Sequence, residues 1–598
     1  MGKKLIKVMD TSFRDGFQSI YGAKVLVEDF IPALKAAVDA GIKHFETAGG
    51  ARFQAPIFFC NENAFETMDK IREAVGPDVK LQSLARGVNV VGLNSQPRDV
   101  IDLHAKMFAK HGVNVVRNFD ALNDVNNLID SANSIKKHGM QHEVTITMME
   151  LPYGCEGAHD VAFYERVLRN ILDSGLPFDS LAFKDASGTS NPRKVYATVK
   201  MAREILGSDA HIRFHSHETA GTGLAAYLAA LEGGADGIDL AMKPVSGGTG
   251  QPDIISMWHA LKGTDYDLGL DIRKIMETEE IFKECMKDYP ISPISLAVNP
   301  ILIQAPLPGG ATATTVNQLK DMGMLDKFPK LIENMKEVVA RGGFGTSVTP
   351  VSQFYAQQSF LNAISDHPWE KANPGYAKMI LGYFGKTPCE PDPELVKWAE
   401  EKTGLMPTTE KVVDLNDKDP EKGLKAAEER LKAAGLPVTD ENLFIAAACK
   451  DGNVDKGVDF LLGKGTVSVN KTAGKPAAVS SDSNEYTVTV NGKKYAVAFN
   501  GDKATVNGQA YDFDVKAGIE HAHAAAGSGE EVTAGVPGNV LRIEASEGDS
   551  VNEGDVILVL EAMKMEIEIK APKAGTVQSI LVTQGEKVVT GQALAVVG

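Results

Sequence analysis

Leu5-Ile6-Lys7-Val8-Met9 runs straight into Asp10-Thr11-Ser12-Phe13-Arg14-Asp15-Gly16-Phe17-Gln18-Ser19, and this join decides the fold. The first five residues read as a short apolar strand. The ten that follow are dense in charge and amide groups. An α/β barrel builds its active site at the carboxyl ends of its strands, so a strand ending on chemistry is its repeating unit. The unit recurs. Strands are predicted at 44–47, 80–84, 113–119, 143–149, 180–183, 211–215 and 237–242, with amphipathic stretches such as 27–40 and 192–206 between them. Eight strand–helix units in about 250 residues predict a closed (β/α)8 TIM barrel over 1–300. An open doubly wound sheet is the alternative.

The 598 residues leave room for two or three further domains at roughly 150 residues each. Residues 301–465 read as a helical lobe packed on the barrel mouth, with helices near 319–324, 327–340, 350–364, 393–403 and 420–434. A small, polar linker is expected at 466–484. Three short alternating runs, 486–490, 495–499 and 504–506, with Asn491-Gly492, Asn500-Gly501 and Asn507-Gly508 between or after them, predict a small β module at 485–515, because Asn-Gly is a strong hairpin signal. A second linker at 516–530 carries His521-Ala522-His523. That pair has no carboxylate or thiol beside it and reads as inert rather than metal-binding.

The last domain, 531–598, is an internal repeat. Gly538, Val540, Gly548 and Gly554 recur as Gly575, Val577, Gly585 and Gly591, each 37 positions later. Each half has one apolar face and needs the other to cover it, which predicts a pseudo-symmetric all-β flattened barrel. Glu561-Ala562-Met563-Lys564-Met565 lies where the halves meet, with Lys564 expected on an exposed turn 34 residues before the C-terminus.

Several function classes are excluded. A net charge of −17 argues against a nucleic-acid surface, which needs clustered cations. The five cysteines are scattered, odd in number and free of CxxC pairs, so neither a disulfide framework nor a thiolate metal site is expected. No apolar run approaches the roughly 18 residues of a membrane span. The first strand leaves no room for a signal peptide, so the cytoplasm is the expected location.

Three segments carry the barrel's chemistry. After strand one, Arg14, Asp15 and Gln18 supply a fixed cation, a hard oxygen ligand and an amide. After strand six comes Phe183-Lys184-Asp185-Ala186-Ser187-Gly188-Thr189, and strand seven ends in His215-Ser216-His217-Glu218-Thr219. Residues i and i+2 of an extended strand point the same way, so His215 and His217 face one side. Two imidazoles and a carboxylate suit a first-row divalent metal, zinc or manganese rather than magnesium. A lone His-x-His is more often structural; three such segments at the ends of strands one, six and seven are much stronger.

These motifs resemble the biotin-dependent carboxyltransferase family, and Ala562-Met563-Lys564-Met565 resembles the attachment sequence of its biotinyl domain. The likeness spans nearly the whole chain. It implies covalent biotin on Lys564, and a divalent metal held by Asp15, His215, His217 and a carbamylated Lys184. It implies that Arg14 and Gln18 hold a 2-oxo acid whose carboxylate pairs with Arg86, and that Arg117 to Ala121 shape the pocket. It also implies a separate ATP-dependent biotin carboxylase subunit, a biotin protein ligase and a homo-oligomer as partners. The expected reaction moves a carboxyl group between carboxybiotin and a 2-oxo acid, most simply pyruvate to oxaloacetate. The large subunit of 2-oxoglutarate carboxylase and the α subunit of oxaloacetate decarboxylase are alternatives. An isopropylmalate-synthase-like condensing enzyme is the alternative from another class. Three departures stand out: Ala48-Gly49-Gly50-Ala51-Arg52-Phe53-Gln54 after strand two, Leu93 where the family has Tyr, and Ala313 where it has a proton-shuttling Thr. Pro308 to Thr315 reads as a loop, and Thr312 and Thr314, which flank Ala313 in it, are the candidates to replace that hydroxyl.

Overall fold

The computed structural model describes residues 3–451, 454–469, 471, 485–490, 493–500, 503–506, 509–512, 529–562 and 565–598. The chain divides into two compact units, Met1–Asn470 and Lys471–Gly598.

The first unit contains a closed barrel of eight parallel strands: β1 (Lys7–Asp10), β2 (His44–Gly49), β3 (Lys80–Ala85), β4 (Val115–Phe119), β5 (Gln141–Thr147), β6 (Ser180–Asp185), β7 (His211–Ser216) and β8 (Gly237–Leu240). Each lies within about three residues of its predicted span, because a parallel strand covered on both faces needs a short, nearly continuous apolar run. Helix starts carry their own signals. Asn63, Asp160, Asn191 and Asp271 each accept a backbone N–H in the first turn that follows. Register decides what meets inside the barrel. Lys184 on β6 lies opposite His215 on β7, and Arg117 on β4 opposite Glu143 on β5.

An aromatic cluster fixes the segment after β1. Phe13 and Phe17, both wholly buried, pack among Phe30, Phe45 and Phe282, with ring centroids 5.1 Å apart for Phe13–Phe282 and for Phe17–Phe30. Each buried Phe is worth roughly 1.5–3 kcal/mol. Because they bracket Arg14 and Asp15, the core itself holds those two charges at the barrel mouth.

The helical lobe shares this unit. Its helices include Gly309–Asp321, Phe328–Arg341, Val351–Ile364, Pro393–Thr403 and Gly423–Ala433. Part of it reaches the mouth: Thr346 N donates to Ala121 O (2.8 Å), and Thr147 Oγ1 bonds Thr346 Oγ1 (2.9 Å). Part of it lies on the barrel flank instead. Helix Asp440–Ala448 inserts Phe444 among Phe53, Phe65 and Phe108, and Arg98 pairs with Asp414 and Asp417. The segment expected as a loop before residue 319 is helical from Gly309, since Pro308 just before a helix fixes an extended backbone suited to a helix start.

In the second unit, a four-stranded meander runs through Glu485–Val490, Lys493–Asn500, Lys503–Val506 and Gln509–Asp512, one strand more than the sequence suggests. The 37-residue repeat then folds as two four-stranded sheets. The halves exchange equivalent hydrogen bonds: Gly548 N to Val577 O (2.8 Å) matches Gly585 N to Val540 O (2.7 Å). Gly554 N to Ala571 O (2.9 Å) likewise matches Gly591 N to Ala534 O (2.8 Å). All four glycines have positive φ, between 82° and 95°, which explains why glycine recurs there. Val540, Leu558, Leu560, Val577, Leu594 and Val597 fill the space between the sheets. The hairpin strands flanking the expected attachment site pair with Ala562 opposite Met565. Lys564 itself, like His521 and His523, lies outside the described residues.

Candidate active site

After β1, Asp10 accepts the backbone N–H of Ser12 (2.6 Å) and the chain tightens into the helical turn Ser12–Gly16. A Cβ at Gly16 would lie 2.7 Å from Val245 Cγ2, so any side chain here would push Val245 aside. Arg14 and Asp15 are thereby aimed across the mouth toward β6 and β7.

Four predicted residues meet there, all buried. Asp15 Oδ2 lies 3.2 Å from Lys184 Nζ, 3.3 Å from His215 Nε2 and 3.8 Å from His217 Nε2. Lys184 Nζ is 2.7 Å from His215 Nε2, and the two Nε2 atoms are 3.2 Å apart. The backs of the rings explain the orientation. His217 Nδ1 is 2.7 Å from Thr249 O, and His215 Nδ1 is 2.9 Å from Asp239 Oδ2. A carbonyl or carboxylate can only accept, so each Nδ1 carries the proton and each Nε2 presents a lone pair inward. Two lone pairs and a carboxylate oxygen converging within 4.8 Å fit a shared cation.

Protonation agrees with that fit. Burial alone would raise the Asp15 carboxyl, but the Lys184 ammonium and then Arg14 hold it well below the usual carboxylate range. Burial, partly offset by Asp15, brings His217 down to about 3, so it is neutral at pH 7. Burial also lowers Lys184, moving it toward the neutral amine.

Beneath this cluster is a layer of charge that the sequence reading missed. Arg117, expected to shape the pocket, is fully buried below it and bonds Glu143 Oε1 (2.7 Å) and Asp239 Oδ2. Arg213 Nη1 pairs with Asp239 Oδ1 (3.2 Å). Burial would raise Asp239; Arg117 overrides it and keeps the carboxylate ionised. Arg117 therefore supports His215 through Asp239. The available signal was a charge within each of five barrel strands: Glu46, Arg117, Glu143, Arg213 and Asp239.

Arg14 and Arg86 lie beside Asp15: Arg14 Nη1 is 3.1 Å from Asp15 Oδ2, the oxygen shared with the cluster, and 3.5 Å from Glu46 Oε2. A Cβ at Gly50 would lie 2.9 Å from Arg14 Nη2 and 3.0 Å from Arg86 Nη2, so both guanidinia reach one point above this glycine. Arg86 Nη1 donates to Val91 O (2.6 Å) and Gly92 O (3.0 Å), which fixes its direction. Arg14 Nε, Arg86 Nε and Gln18 Oε1 are buried without hydrogen-bond partners among the described residues. Burial, and then Arg14 beside it, pull Arg86 down to about 9. Two cations crowded in a dry site suit an anionic group between them.

Thr312 and Ala313 stand in helix Gly309–Asp321. Thr312 Oγ1 is buried and donates to Pro308 O (3.2 Å). Gly310 packs against Gln18, its Cβ position 3.1 Å from Gln18 O. The helix thus begins beside the site. The side chains of Ala313 and Thr314 lie outside the described residues.

Comparison with known proteins gives matches in the same order along the chain. Residues 5–282 match the HMGL-like family, 302–498 a conserved carboxylase domain and 528–597 the biotin-requiring enzyme family. A pyruvate carboxylase subunit of Methanocaldococcus jannaschii is 32% identical over 94% of this chain and 94% of its own. The 2-oxoglutarate carboxylase large subunit of Hydrogenobacter thermophilus is 29% identical over 95% of this chain and 91% of its own. The crystal structure of a complete multifunctional pyruvate carboxylase from Rhizobium etli superposes with a TM-score of 0.69 at 25% identity, over 100% of this chain and 57% of that one. The HMGL-like match alone would leave a condensing enzyme open; the two matches that follow it do not. By a relationship that runs along nearly its whole length, the chain belongs to the biotin-dependent carboxyltransferase family.

Proposed function

We propose that this chain transfers a carboxyl group between biotin on Lys564 and a 2-oxo acid, with pyruvate and oxaloacetate as the pair, and that it works as the biotinylated subunit of a two-subunit carboxylase. One observation carries the reading: a convergent two-imidazole, carboxylate and lysine cluster lies beside Arg14 and Arg86 at the mouth of the barrel, in a chain that matches the biotin-requiring enzyme family.

Asp15, Lys184, His215 and His217 would hold a divalent zinc or manganese ion, which would supply Lewis-acid polarisation of the substrate's 2-oxo group. Lys184 is buried and shifted toward its neutral amine, the form that adds CO2 with loss of a proton. The resulting carbamate would replace a cation with an anionic oxygen ligand. Arg14 and Arg86 would clamp the substrate carboxylate, and the Gln18 amide would orient the oxygen beside it. Biotin would bring the carboxyl group. Two archaeal relatives are each one subunit of a pyruvate carboxylase, which supports a separate ATP-dependent biotin carboxylase as partner. A biotin protein ligase would load Lys564, and the assembly would be homo-oligomeric. Among the described residues no helix is long and apolar enough to cross a membrane; the proposed site of action is the cytoplasm. The working division is a barrel at 1–300, a lobe at 301–465, a β module at 485–515 and a biotinyl domain at 531–598, joined by linkers at 466–484 and 516–530.

The test is exchange of labelled pyruvate into oxaloacetate by the full, biotin-loaded chain. Exchange with pyruvate supports the reading. Exchange with 2-oxoglutarate alone moves the chain to the alternative suggested by Leu93 and the Hydrogenobacter relative. No exchange with either overturns it.

Two further expectations follow. Gly50→Ala would place a methyl within about 3 Å of both guanidinia, at a φ of +55° that disfavours a side chain. The expected result is a rise of about tenfold in KM for the 2-oxo acid, set by loss of part of a charge-assisted clamp, with metal content unchanged. An unaltered KM would remove Arg14 and Arg86 from substrate binding. For the proton shuttle, helix geometry separates the candidates. At about 100° per residue, position 314 lies roughly 40° round the helix from Gly310, whereas position 312 lies roughly 160° away. We therefore assign the shuttle to Thr314. Thr314→Ala should lower carboxyl exchange by about 10²-fold, the usual weight of a placed acid–base group. Thr312→Ala should stay near wild type. The reverse ranking would return the role to Thr312.

A further inference from the structure

At the N-terminal end of the barrel, opposite the candidate active site, lies a cavity of about 560 Å3. Three lysines stand on its rim on one side: Lys7 begins β1, Lys43 immediately precedes β2 and Lys80 begins β3. Lys43 and Lys80 are neighbours, since Lys80 N bonds Lys43 O (2.9 Å), and Lys7 lines the same cavity. All three are exposed, and among the described residues none has a carboxylate within ion-pair distance; Lys80 Nζ reaches only Gln141 Oε1 (3.3 Å). Deeper in the cavity is the buried Arg213. Two of the three acids lining the cavity are already paired, Glu143 with Arg117 and Arg213 and Asp179 with Lys136. Only Asp78, on the rim, is left to set against three lysines. The rim of the cavity therefore carries an excess of positive charge.

It also has an apolar wall. The short strand Lys4–Leu5 pairs with Tyr266–Asp267 and closes that side. Leu5 remains 63% exposed beside Leu268, and it lies so close over Gly269 that a Cβ there would meet Leu5 Cδ1 at 2.4 Å. Two polar atoms among the lining residues, His44 Nε2 and Gln82 Oε1, are buried without hydrogen-bond partners among the described residues. The volume falls within the roughly 300–1,000 Å3 of small-molecule sites. Three cations around one mouth suit a dianion better than a single carboxylate, and the leucine wall needs an apolar body to cover it.

We propose that this well binds a small phosphate monoester, its phosphoryl group among Lys7, Lys43 and Lys80 and its organic part against Leu5 and Leu268. The site is separate from the carboxyl-transfer centre, although Arg213 belongs to both neighbourhoods through its bond to Asp239.

Calorimetric titration of phenyl phosphate into the full protein at low salt tests it, with pyruvate saturating so that Arg14 and Arg86 are occupied. One saturable site is expected. Its affinity should fall as salt rises, because the lysines are exposed. Inorganic phosphate should bind at least tenfold more weakly. The double variant Lys43→Gln, Lys80→Gln changes only exposed rim residues and should weaken phenyl phosphate at least tenfold while leaving pyruvate–oxaloacetate exchange as it is. Absence of saturable binding, equal affinity for inorganic phosphate, or binding unchanged in the double variant would each overturn the proposal.

Discussion

Alanine at His215 is expected to leave the protein folded, empty of its divalent metal, and more than about 100-fold slower in exchanging pyruvate with oxaloacetate. His215 is the centre of the cluster. Its Nε2 lies 2.7 Å from Lys184 Nζ, 3.2 Å from His217 Nε2 and 3.3 Å from Asp15 Oδ2. Removing it leaves the three remaining groups without the atom they share. Loss of a residue that merely orients a ligand costs about 10–100-fold in affinity or activity, so loss of the ligand itself should exceed that range. Asp239→Asn supplies the comparison. It keeps the shape but no longer holds the Nδ1 proton of His215 with a full charge, and it should fall inside the 10–100-fold range. Metal analysis and exchange kinetics on both variants decide the matter. Full occupancy in His215→Ala would remove this residue from the metal site, and equal losses in the two variants would show that the ligand and its support had been misassigned.

The barrel was legible because its signals are local. A strand covered on both faces must be short and apolar, and the polar segments at strand ends could be read off directly. Parity put His215 and His217 on one side of their strand, and the family resemblance added Asp15 and Lys184 to the set; the structure brings all four together after strands whose spans were predicted closely. What escaped was charge placed within strands. Arg117 looked like one more residue at a strand end, yet its side chain points into the barrel and bonds Glu143 and Asp239 from β5 and β8. Neither partner is near it in sequence, and pairing across a closed barrel cannot be read from one strand at a time. Helix Gly309–Asp321 was misjudged for the opposite reason. Its sequence, Gly-Gly-Ala-Thr-Ala-Thr-Thr, is poor in helix formers, and it is held by packing of its first turn on Gln18 and Thr249. Positions 312 and 314, which a loop would make interchangeable, thereby fall on different faces. In the C-terminal domain, by contrast, the repeat predicted the two-fold β architecture, and the structure adds that equivalent positive-φ glycines in the two halves make equivalent hydrogen bonds.

Lys564→Arg is expected to abolish ATP-dependent carboxylation by the reconstituted two-subunit enzyme while leaving the barrel folded and its metal in place. The substitution retains a positive charge and a long side chain, so any role of Lys564 as a surface cation would survive it. It removes the primary amine, and a guanidinium does not form the amide that tethers biotin. On the proposed function, the tether is what would carry a carboxyl group from the partner subunit to a 2-oxo acid held by Arg14 and Arg86, and the variant lacks it. The loss should therefore be complete rather than partial. The change is expected to leave Asp15, Lys184, His215 and His217 as they are, since it alters none of them. Intact-mass measurement should find biotin on the wild type and none on the variant, with equal metal content in both. Carboxylation surviving in a biotin-free variant would sink the carrier assignment. Equal biotin loading of the two would place the attachment on another lysine.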